Sequence, residues 1–508
     1  MKKNRAGSIL TQGLLLLIIL LCPCLWSRPT ERQENRFAEA EARMEKAVAS
    51  PQVPSLSVAV AQGGKIVWEK AVGFADIENG MIATPATAYS LASISKPITA
   101  TGLMILVERG LVELDKSANQ YLGKAKLHSY SHNADKATVL RLLNHTSGLV
   151  THWHFFYADD PYIRPEMDET IRRYGILFLP PGLQYMYSNL GYGILGNIIE
   201  RVSGMPYPQF MTDEVFKPLG MTNSTVYVEQ GPEAKVAQRY MGRGKRIPFY
   251  DFDHRGASAV YCSARDLVRF GMFHLKDHLP DQKQIISDET IDSMKSLRDP
   301  DVAENDYRLG WSLSHLGKYK AVSHGGGMPG VSTNLLLLPE LDIALVLLCN
   351  ASYRGLRQIG QTVLEALIPD LKQELSAQQN PQPKPDPEPL ETPESLLGRW
   401  EGEIITHEGN VPVELVIEKG KKITFRLTGK EHKEDKPVGA FGRVILREDL
   451  FNARFFVKIP TEDASRFPHQ TDLTLEPHGN SMSGAASAYA INTRFGLPYY
   501  ISLRKLEK

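Results

Sequence analysis

Two residues that could form a nucleophilic pair stand three positions apart, Ser93 and Lys96 in Ser93-Ile94-Ser95-Lys96. They lie where a polar turn gives way to an apolar stretch that predicts a helix, and residues three apart share one helix face. A serine hydroxyl is a weak nucleophile until a base takes its proton, and a lysine with a lowered pKa can be that base. The pattern is short, so its interpretation depends on whether the rest of a site is present.

A second candidate motif is Tyr187-Ser188-Asn189, which follows a Pro-Pro-Gly turn and precedes an apolar stretch. In an extended segment Tyr187 and Asn189 point to the same side. A phenol close to a cation has a depressed pKa, so we expect that Tyr187 could act as a base. The amide of Asn189 could donate to and accept from a substrate. A turn with a packed tyrosine is the structural alternative.

A third candidate motif is His324-Gly325-Gly326-Gly327, which precedes a pair of apolar strands. Consecutive glycines let a ligand approach the backbone closely. A strand edge with free N–H groups could bind a substrate and supply one donor of an oxyanion hole. An ordinary glycine loop is the alternative.

Together the three motifs resemble the signature of the serine β-lactamase and penicillin-binding-protein superfamily, in which S-x-x-K is followed by S-D-N and K-T-G. Tyr187-Ser188-Asn189 takes the second place, as in the class C β-lactamase-related branch, and His324-Gly325-Gly326 takes the third. The blocks at 142–149 and 309–311 are also similar to that branch. The resemblance covers residues 35–370 and implies that the chain is an enzyme, a serine hydrolase.

The resemblance also implies a mechanism. Ser93 attacks a carbonyl and forms an acyl-enzyme, while Lys96 and Tyr187 share the transfer of its proton to the leaving group. The backbone N–H groups of Ser93 and Gly327 form the oxyanion hole, and Asn189 orients the substrate. Water activated through Tyr187 then frees the enzyme.

The third motif departs from the family pattern, because His324 replaces a lysine. Lysine offers a permanent positive charge to a substrate carboxylate, whereas histidine is largely neutral near pH 7. The histidine form resembles branch members that act as esterases, D-aminopeptidases or related amidases. We therefore expect cleavage of an ester or amide, with esterase, D-aminopeptidase or carboxypeptidase, and weak β-lactamase activity as the alternatives. His324 is expected to polarise the Tyr187 side of the site or to contact the substrate, and Gly326 to help bind it.

The expected partner is a small-molecule or peptide substrate, with cell-wall fragments among the candidates, and no cofactor is predicted. The 58 basic and 58 acidic residues balance, which argues against a nucleic-acid-binding protein. His152 and His154 lack a third ligand at a recognisable spacing, so we predict no metal site and assign them to a packed aromatic loop. The alternative function is a non-catalytic scaffold or peptidoglycan-binding protein on the same fold.

The elements that must position these residues form an α+β fold. Apolar runs at 54–73 and 335–348 predict an antiparallel sheet assembled from distant segments, and 98–108 and 190–202 predict amphipathic helices. The resemblance implies a β-lactamase/transpeptidase-like domain, with an antiparallel sheet flanked by helices and a helical subdomain. We place this domain at residues 28–375.

A smaller all-β barrel is predicted after a linker. Proline at every second position from Pro381 to Pro389 indicates an extended linker, which we place at 376–395. Apolar residues then alternate with polar ones, as in half-buried strands. Gly398-Arg399-Trp400 resembles the opening of lipocalin-like barrels, so we assign a barrel of that kind to 396–508.

The N-terminus has the pattern of an export signal. Basic residues precede the apolar run 14–21, and Ser27 could precede a cleavage point, so we predict a signal peptide over 1–27 and a periplasmic protein. An uncleaved membrane anchor at the N-terminus is the alternative. Of the four cysteines, only Cys262 and Cys349 lie outside this segment, and we expect two buried thiols.

Overall fold

The computed structural model describes residues 36–226, 236–302, 305–378, 392–432 and 435–506. The predicted signal peptide and the linker residues 379–391 lie outside these ranges. The strands of the N-terminal part are β1 (Ser55–Gln62), β2 (Lys65–Asp76), β3 (Met81–Ile82), β4 (Ala88–Ser90), β5 (Trp153–Tyr157), β6 (Ser224–Thr225), β7 (Tyr240–Met241), β8 (Lys245–Arg246), β9 (Tyr250–Phe252), β10 (Tyr261–Ser263), β11 (Ser312–Leu316), β12 (Tyr319–Met328), β13 (Val331–Leu338) and β14 (Ile343–Cys349).

The helices of this part surround its sheets. They are α1 (Ala38–Val48), α2 (Ser95–Glu108), α3 (Val139–Leu143), α4 (Met167–Tyr174), α5 (Asn189–Ser203), α6 (Tyr207–Phe210), α7 (Arg255–Ser258), α8 (Ala264–Leu275), α9 (Asp288–Ser296), α10 (Leu356–Leu367) and α11 (Leu371–Gln378). Helix α11 ends inside the segment that we assigned to the linker. Among the described residues, no helix combines the length and the apolar character that crossing a membrane requires.

The main sheet has seven strands in the order β11-β12-β13-β14-β1-β2-β3. Strand β1 pairs with β14 although some 290 residues separate Leu56 from its partner Cys349. This pairing confirms the prediction of one antiparallel sheet assembled from distant segments. Both faces of the sheet are covered, because successive side chains of β1 join two different buried clusters, Val58 and Val60 on one face and Ala59 and Ala61 on the other. The continuous apolar runs in the sequence follow from this double coverage.

Helix α2 carries the lysine of the first motif and differs from the prediction in one respect. The sequence favoured an amphipathic helix over 98–108, but the helix begins at Ser95 and is buried on all sides as far as Leu106. It packs against α5 and α7, and its residues from Ser95 to Leu106 are shielded from solvent. Helix α5, predicted over 190–202, ends as expected at Gly204, which has φ of 70°.

The C-terminal part is a nearly closed antiparallel barrel. Its elements are β15 (Gly398–Thr406), β16 (Gly409–Glu418), β17 (Lys422–Leu427), β18 (Val438–Gly439), β19 (Phe441–Arg447), β20 (Leu450–Phe455), α12 (Glu462–Ser465), β21 (His469–His478), β22 (Ser481–Ala490) and β23 (Phe495–Lys505). The alternating residues that predicted strands are buried, and Trp400 of the first strand is fully buried. Cys262 and Cys349 are free, buried thiols, as predicted.

Candidate active site

The nucleophile lies on a short 3₁₀ turn at Ala92–Ile94 that leads directly into α2. Ala92 has φ of 50°, a left-handed conformation that is strained for a residue with a side chain. The strained turn presents Ser93 to a cleft while Lys96, on the first turn of the helix, reaches back towards it. The Nζ atom of Lys96 lies 3.1 Å from Ser93 Oγ. The structure therefore brings together the pair that the first motif predicted.

Lys96 is fully buried, and its Nζ has three hydrogen-bond partners. Its Nζ donates to Asn189 Oδ1 at 2.8 Å and to the Ala257 carbonyl at 3.3 Å. Ser93 Oγ is the third partner of this nitrogen, and in a neutral amine, which has two N–H groups and one lone pair, the lone pair would be available to the Ser93 hydroxyl. Burial lowers the pKa of Lys96 well below its usual value. Lys96 is thus equipped to accept the proton of Ser93.

Tyr187 lies against the same pair, but its charge state differs from the prediction. The Lys96 Nζ is 4.6 Å from the centre of the tyrosine ring, and the phenol hydrogen-bonds to Ser93. Burial raises the pKa of Tyr187 above its usual value of 10.0, and the bond to Ser93 opposes the rise only in part. The predicted depressed pKa is wrong, because burial of the phenol outweighs the other influences on it. Tyr187 is therefore a protonated hydroxyl that can donate.

Asn189 connects the nucleophile to the loop before β5. It is the first residue of helix α5. The residue before it, Ser188, caps the helix by accepting a hydrogen bond from the Gly191 N–H. Its Oδ1 accepts from Lys96, and its Nδ2 donates to the His152 carbonyl at 2.9 Å. A side-chain amide has two N–H groups and two lone pairs, so one of each remains for a substrate.

His324 is held behind the site rather than in it. Its Nδ1 donates to the Gly325 carbonyl at 2.8 Å, and its Nε2 accepts from the Tyr307 hydroxyl at 3.0 Å. Burial lowers the pKa of His324 to about 3, so the ring is neutral. Both nitrogens have protein partners, and the ring is separated from Tyr187 by Tyr307. The sequence motifs gave no reason to single out Tyr307, since its role depends on packing alone.

The buried ring of His145 packs against Tyr187. Its ring centre lies 4.4 Å from that of Tyr187, and its Nδ1 accepts from the Ser188 N–H at 3.1 Å. This contact fixes the Tyr-Ser-Asn segment against the helical subdomain.

The glycine motif lies on β12, against the nucleophile's turn. Strand β11 pairs with β12 only as far as Ser323, so the edge of the following glycines faces the turn at Ala92–Ile94 instead. A Cβ atom added to Gly326 would overlap the Leu91 carbonyl and Thr333 Oγ1, whereas nothing lies within 4 Å of one added to Gly327. Gly326 is thus required for close packing, while Gly327 opens onto the cleft.

The cleft beside Ser93 has a volume of about 700 Å³. Asn189 and Gly327 also line it, so the predicted nucleophile, orienting amide and strand glycine share one cavity. Its further lining residues are Trp153, Phe155, Met241, Ile247, His254, Ser258, Met328, Pro329, Gly330, Val331, Ser332, Ser352, Tyr353, Arg354 and Thr493. No Asp or Glu occurs among these lining residues of the described chain.

The barrel contributes to the wall of this cleft. Strand β5 pairs with β23, with Gly496 opposite Trp153. The Trp153 Nε1 donates to the Thr493 carbonyl at 3.1 Å, and Thr493 itself lines the cavity. Across the same interface Arg466 and Asp160, both almost completely buried, form an ion pair of 2.8 Å. The barrel is therefore attached at the mouth of the site.

Three buried side chains close to the cleft could hold a metal ion. Candidate ligand atoms of His152, Asp253 and His254 lie within 4.8 Å of one another. The carboxylate of Asp253 instead pairs with both imidazoles, at 2.8 Å from His152 Nε2 and 2.6 Å from His254 Nδ1. His154, the other predicted loop histidine, is buried on β5, and its Nε2 accepts from Arg466. Sequence spacing missed Asp253 and His254, which lie 101 residues from His152 or farther.

The arrangement can be compared with known proteins. The sequence matches the family described as Beta-lactamase over residues 40–368. This chain belongs to the beta-lactamase family. Its structural neighbours include penicillin-binding proteins and class C β-lactamases, so the predicted β-lactamase/transpeptidase fold is confirmed.

Among relatives of this β-lactamase family, Penicillin-binding protein 4* of Bacillus subtilis (strain 168) is 27% identical over 317 residues, 58% of this chain and 67% of the relative. The chain spans 59% to 60% of the length of further curated relatives. The structure of D-amino acid amidase from Ochrobactrum anthropi SV3, complexed with L-phenylalanine amide, superposes with a TM-score of 0.52 and 25% sequence identity. The superposition covers 66% of this chain and 98% of the amidase chain.

The structure of SurE with D-Leu superposes with a TM-score of 0.59 and 22% sequence identity. The superposition covers 92% of this chain and 100% of the SurE chain. At this identity the likeness concerns the fold, and its coverage extends over the barrel as well as the β-lactamase-like part. The family consists of serine hydrolases, which agrees with the pairing of Ser93 and Lys96.

Proposed function

We propose that this chain is an exported serine hydrolase that cleaves an amide or ester of a small amino-acid derivative or peptide through an acyl-enzyme on Ser93. The observation that carries the proposal is the buried lysine, whose Nζ lies 3.1 Å from Ser93 Oγ and is held there by bonds to Asn189 Oδ1 and the Ala257 carbonyl. A neutral amine at 3.1 Å is within reach for general-base catalysis.

In the proposed acylation, Ser93 Oγ attacks the carbonyl carbon and its proton passes to Lys96 Nζ. The carbonyl oxygen becomes an oxyanion stabilised by the backbone N–H groups of Ser93 and Gly327. When the tetrahedral intermediate collapses, the Tyr187 hydroxyl donates its proton to the leaving nitrogen or oxygen and regains one from Lys96. A water molecule then attacks the ester of the acyl-enzyme and loses its proton to the same groups. The Ser93–acyl bond breaks, the acid is released, and Ser93 Oγ regains a proton.

The substrate class follows from the charges of the cleft. His324 is neutral and bonded on both sides, so it offers no cation to the carboxylate of a β-lactam. The walls near the nucleophile are apolar and aromatic, with Trp153, Phe155 and Met241 among them. These features favour an apolar acyl group, and we expect esterase or amidase activity to exceed β-lactamase activity. The amidase and the D-Leu complex among the structural neighbours support amino-acid derivatives as substrates.

One observation favours a carboxypeptidase as a second candidate. Arg354 is exposed at the rim of the cleft and could receive the terminal carboxylate of a peptide. An Arg354→Gln variant that loses activity on a D-Ala-D-Ala peptide but keeps ester hydrolysis would support it. Equal activity of Arg354→Gln and the wild type on the peptide would contradict it.

The deciding experiment compares wild type, Ser93→Ala and Ser131→Ala on a p-nitrophenyl ester, a D-alanyl anilide, a D-Ala-D-Ala peptide and a chromogenic cephalosporin. Ser131 is an exposed serine and serves as the matched control. We expect Ser93→Ala to lose all turnover and all labelling by a fluorophosphonate, and Ser131→Ala to retain both. Absence of turnover and labelling in the wild type would favour the non-catalytic scaffold instead.

Export and the kind of barrel are parts of the proposal that rest on the sequence. Mass spectrometry of the N-terminus after expression with a secretion system distinguishes cleavage after residue 27 from an uncleaved anchor. The lipocalin-like assignment predicts that the barrel binds an apolar ligand, and a fluorescent fatty-acid probe with the intact protein tests it.

A further inference from the structure

A buried carboxylate next to the cleft orients a histidine that the acyl-enzyme mechanism does not use. Asp253 Oδ1 lies 2.6 Å from His254 Nδ1, and its Oδ2 lies 2.8 Å from His152 Nε2. All three side chains are at most 1% exposed. A carboxylate bonded in this way between two rings fixes both the orientation and the tautomer of each ring.

The tautomer of His254 follows from these contacts. Burial opposes ionisation of Asp253, but the two neighbouring imidazoles outweigh it and hold the carboxyl pKa below its usual value. The ionised carboxylate accepts from Nδ1–H of His254. Because Nδ1 carries the proton in this bond, the other nitrogen of the neutral ring, Nε2, carries the lone pair.

That lone pair belongs to a ring on the cleft wall. His254 lines the cavity together with Ser93 and Asn189, and among the described residues no group hydrogen-bonds to its Nε2. The arrangement is joined to the catalytic residues, because the Asn189 amide donates to the backbone carbonyl of His152. Phe155, another wall residue, lies beside the imidazole with 6.4 Å between ring centres.

We propose that His254 is a further substrate-contacting residue, whose Nε2 accepts a hydrogen bond from a protonated amino group on the acyl side of the substrate. The inference rests on the proposed function and narrows it to amino-acid amides, esters or peptides with a free α-ammonium group. No acidic residue lines the cleft among the described residues, and the carboxylate of Asp253 lies directly behind the His254 ring, where it adds negative potential. An ammonium donor paired with a ring backed by a carboxylate forms a charge-assisted hydrogen bond.

The test compares two substrates that differ only in the ammonium group, D-phenylalanyl p-nitroanilide and 3-phenylpropionyl p-nitroanilide. We expect His254→Leu to lower the ratio of kcat/KM for the first over the second by about 10- to 100-fold, the range for a lost hydrogen bond to a charged group. The loss should appear mainly in KM. His254→Gln, which keeps an acceptor, should recover part of the ratio, and Asp253→Asn should reduce it.

Binding provides a second measurement that does not depend on turnover. D-phenylalaninamide is titrated calorimetrically into Ser93→Ala and into Ser93→Ala/His254→Leu, with circular dichroism to confirm that both are folded. About tenfold weaker binding in the double variant supports the inference. Equal binding, or equal losses on the two anilides, overturns it. So does stoichiometric zinc that disappears in His152→Ala, because the metal would then occupy His254 Nδ1 and leave Nε2 protonated.

The outcomes also separate this inference from the proposed function. A wild-type protein that cleaves the des-amino anilide but neither binds nor cleaves ammonium compounds overturns the role of His254 and leaves the serine hydrolase intact. A protein whose turnover survives in Ser93→Ala overturns the proposed function, whereas the calorimetric comparison still decides whether His254 binds the ammonium group.

Discussion

Replacing Gly326 by alanine tests whether the packing of β12 on the nucleophile's turn holds the site together. An added Cβ would lie 2.1 Å from the Leu91 carbonyl oxygen and 2.2 Å from Thr333 Oγ1. A carbon and an oxygen in weak contact lie about 3.3 Å apart or more, so the strand and the turn must separate by about 1 Å. Leu91 cannot yield freely, because its N–H donates to the Val260 carbonyl at 2.9 Å and its carbonyl accepts from Thr333 Oγ1 at 2.8 Å.

The separation moves Gly327 away from Ser93, and these two residues carry the proposed oxyanion donors. A misplacement of about 1 Å in an active site costs about 100-fold in rate, so we expect kcat/KM of Gly326→Ala for a p-nitrophenyl ester to fall by about that factor. Overpacking typically lowers the free energy of unfolding by about 1–3 kcal/mol. Urea denaturation of the same samples measures this second effect and shows that the variant is folded.

Gly325→Ala is the matched control, since it adds the same methyl group one position earlier in the strand. Its Cβ would lie 3.8 Å from the nearest atom, which is ordinary van der Waals contact. We expect less than a threefold change in kcat/KM and a change in unfolding free energy within about 0.5 kcal/mol. If Gly326→Ala behaves like Gly325→Ala in both assays, the strand does not press on the turn and the reasoning fails.

Three further predictions concern charge. Lys96→Met removes the proposed base and should lower kcat by about 10²- to 10⁴-fold in steady-state ester hydrolysis; a loss of less than tenfold would show that another group takes the Ser93 proton. Because burial lowers the pKa of His324 to about 3, the folded protein binds fewer protons than the unfolded chain between that pH and about 6.5. The unfolding free energy should therefore fall as the pH is lowered through this window, by up to about 1.4 kcal/mol per pH unit from this group. Urea titrations at several pH values should show a smaller fall in His324→Gln, and identical slopes would contradict the assignment. Arg466→Met breaks the buried pair with Asp160 and should destabilise attachment of the barrel by up to about 3 kcal/mol, less than for an isolated pair because Arg494 also contacts Asp160, at 3.1 Å. Limited proteolysis should then separate the two parts sooner, and an unchanged cleavage rate would count against this role.

Much of the fold could be predicted because its signals are local. The apolar runs of β1 and β14, the stop of α5 at Gly204 and the alternating strands of the barrel depend on residues a few positions apart. The error at α2 has the same origin, since a local pattern cannot show that the helix is enclosed on every side.

Residue types and their spacing along the chain establish which chemistry is present: a serine three residues before a lysine, a tyrosine two residues before an asparagine, and a histidine where the family pattern has lysine. Charge states depend instead on packing between distant segments, because burial lowers the pKa of Lys96 and raises that of Tyr187.

Tertiary structure also decided which residues share the cleft. It places the histidine of the third motif, His324, behind Tyr307 and brings His254 to the wall beside Ser93, although no motif marks that residue. Spacing along the chain sets which side chains lie together on one element, whereas contacts between elements depend on how the whole chain packs.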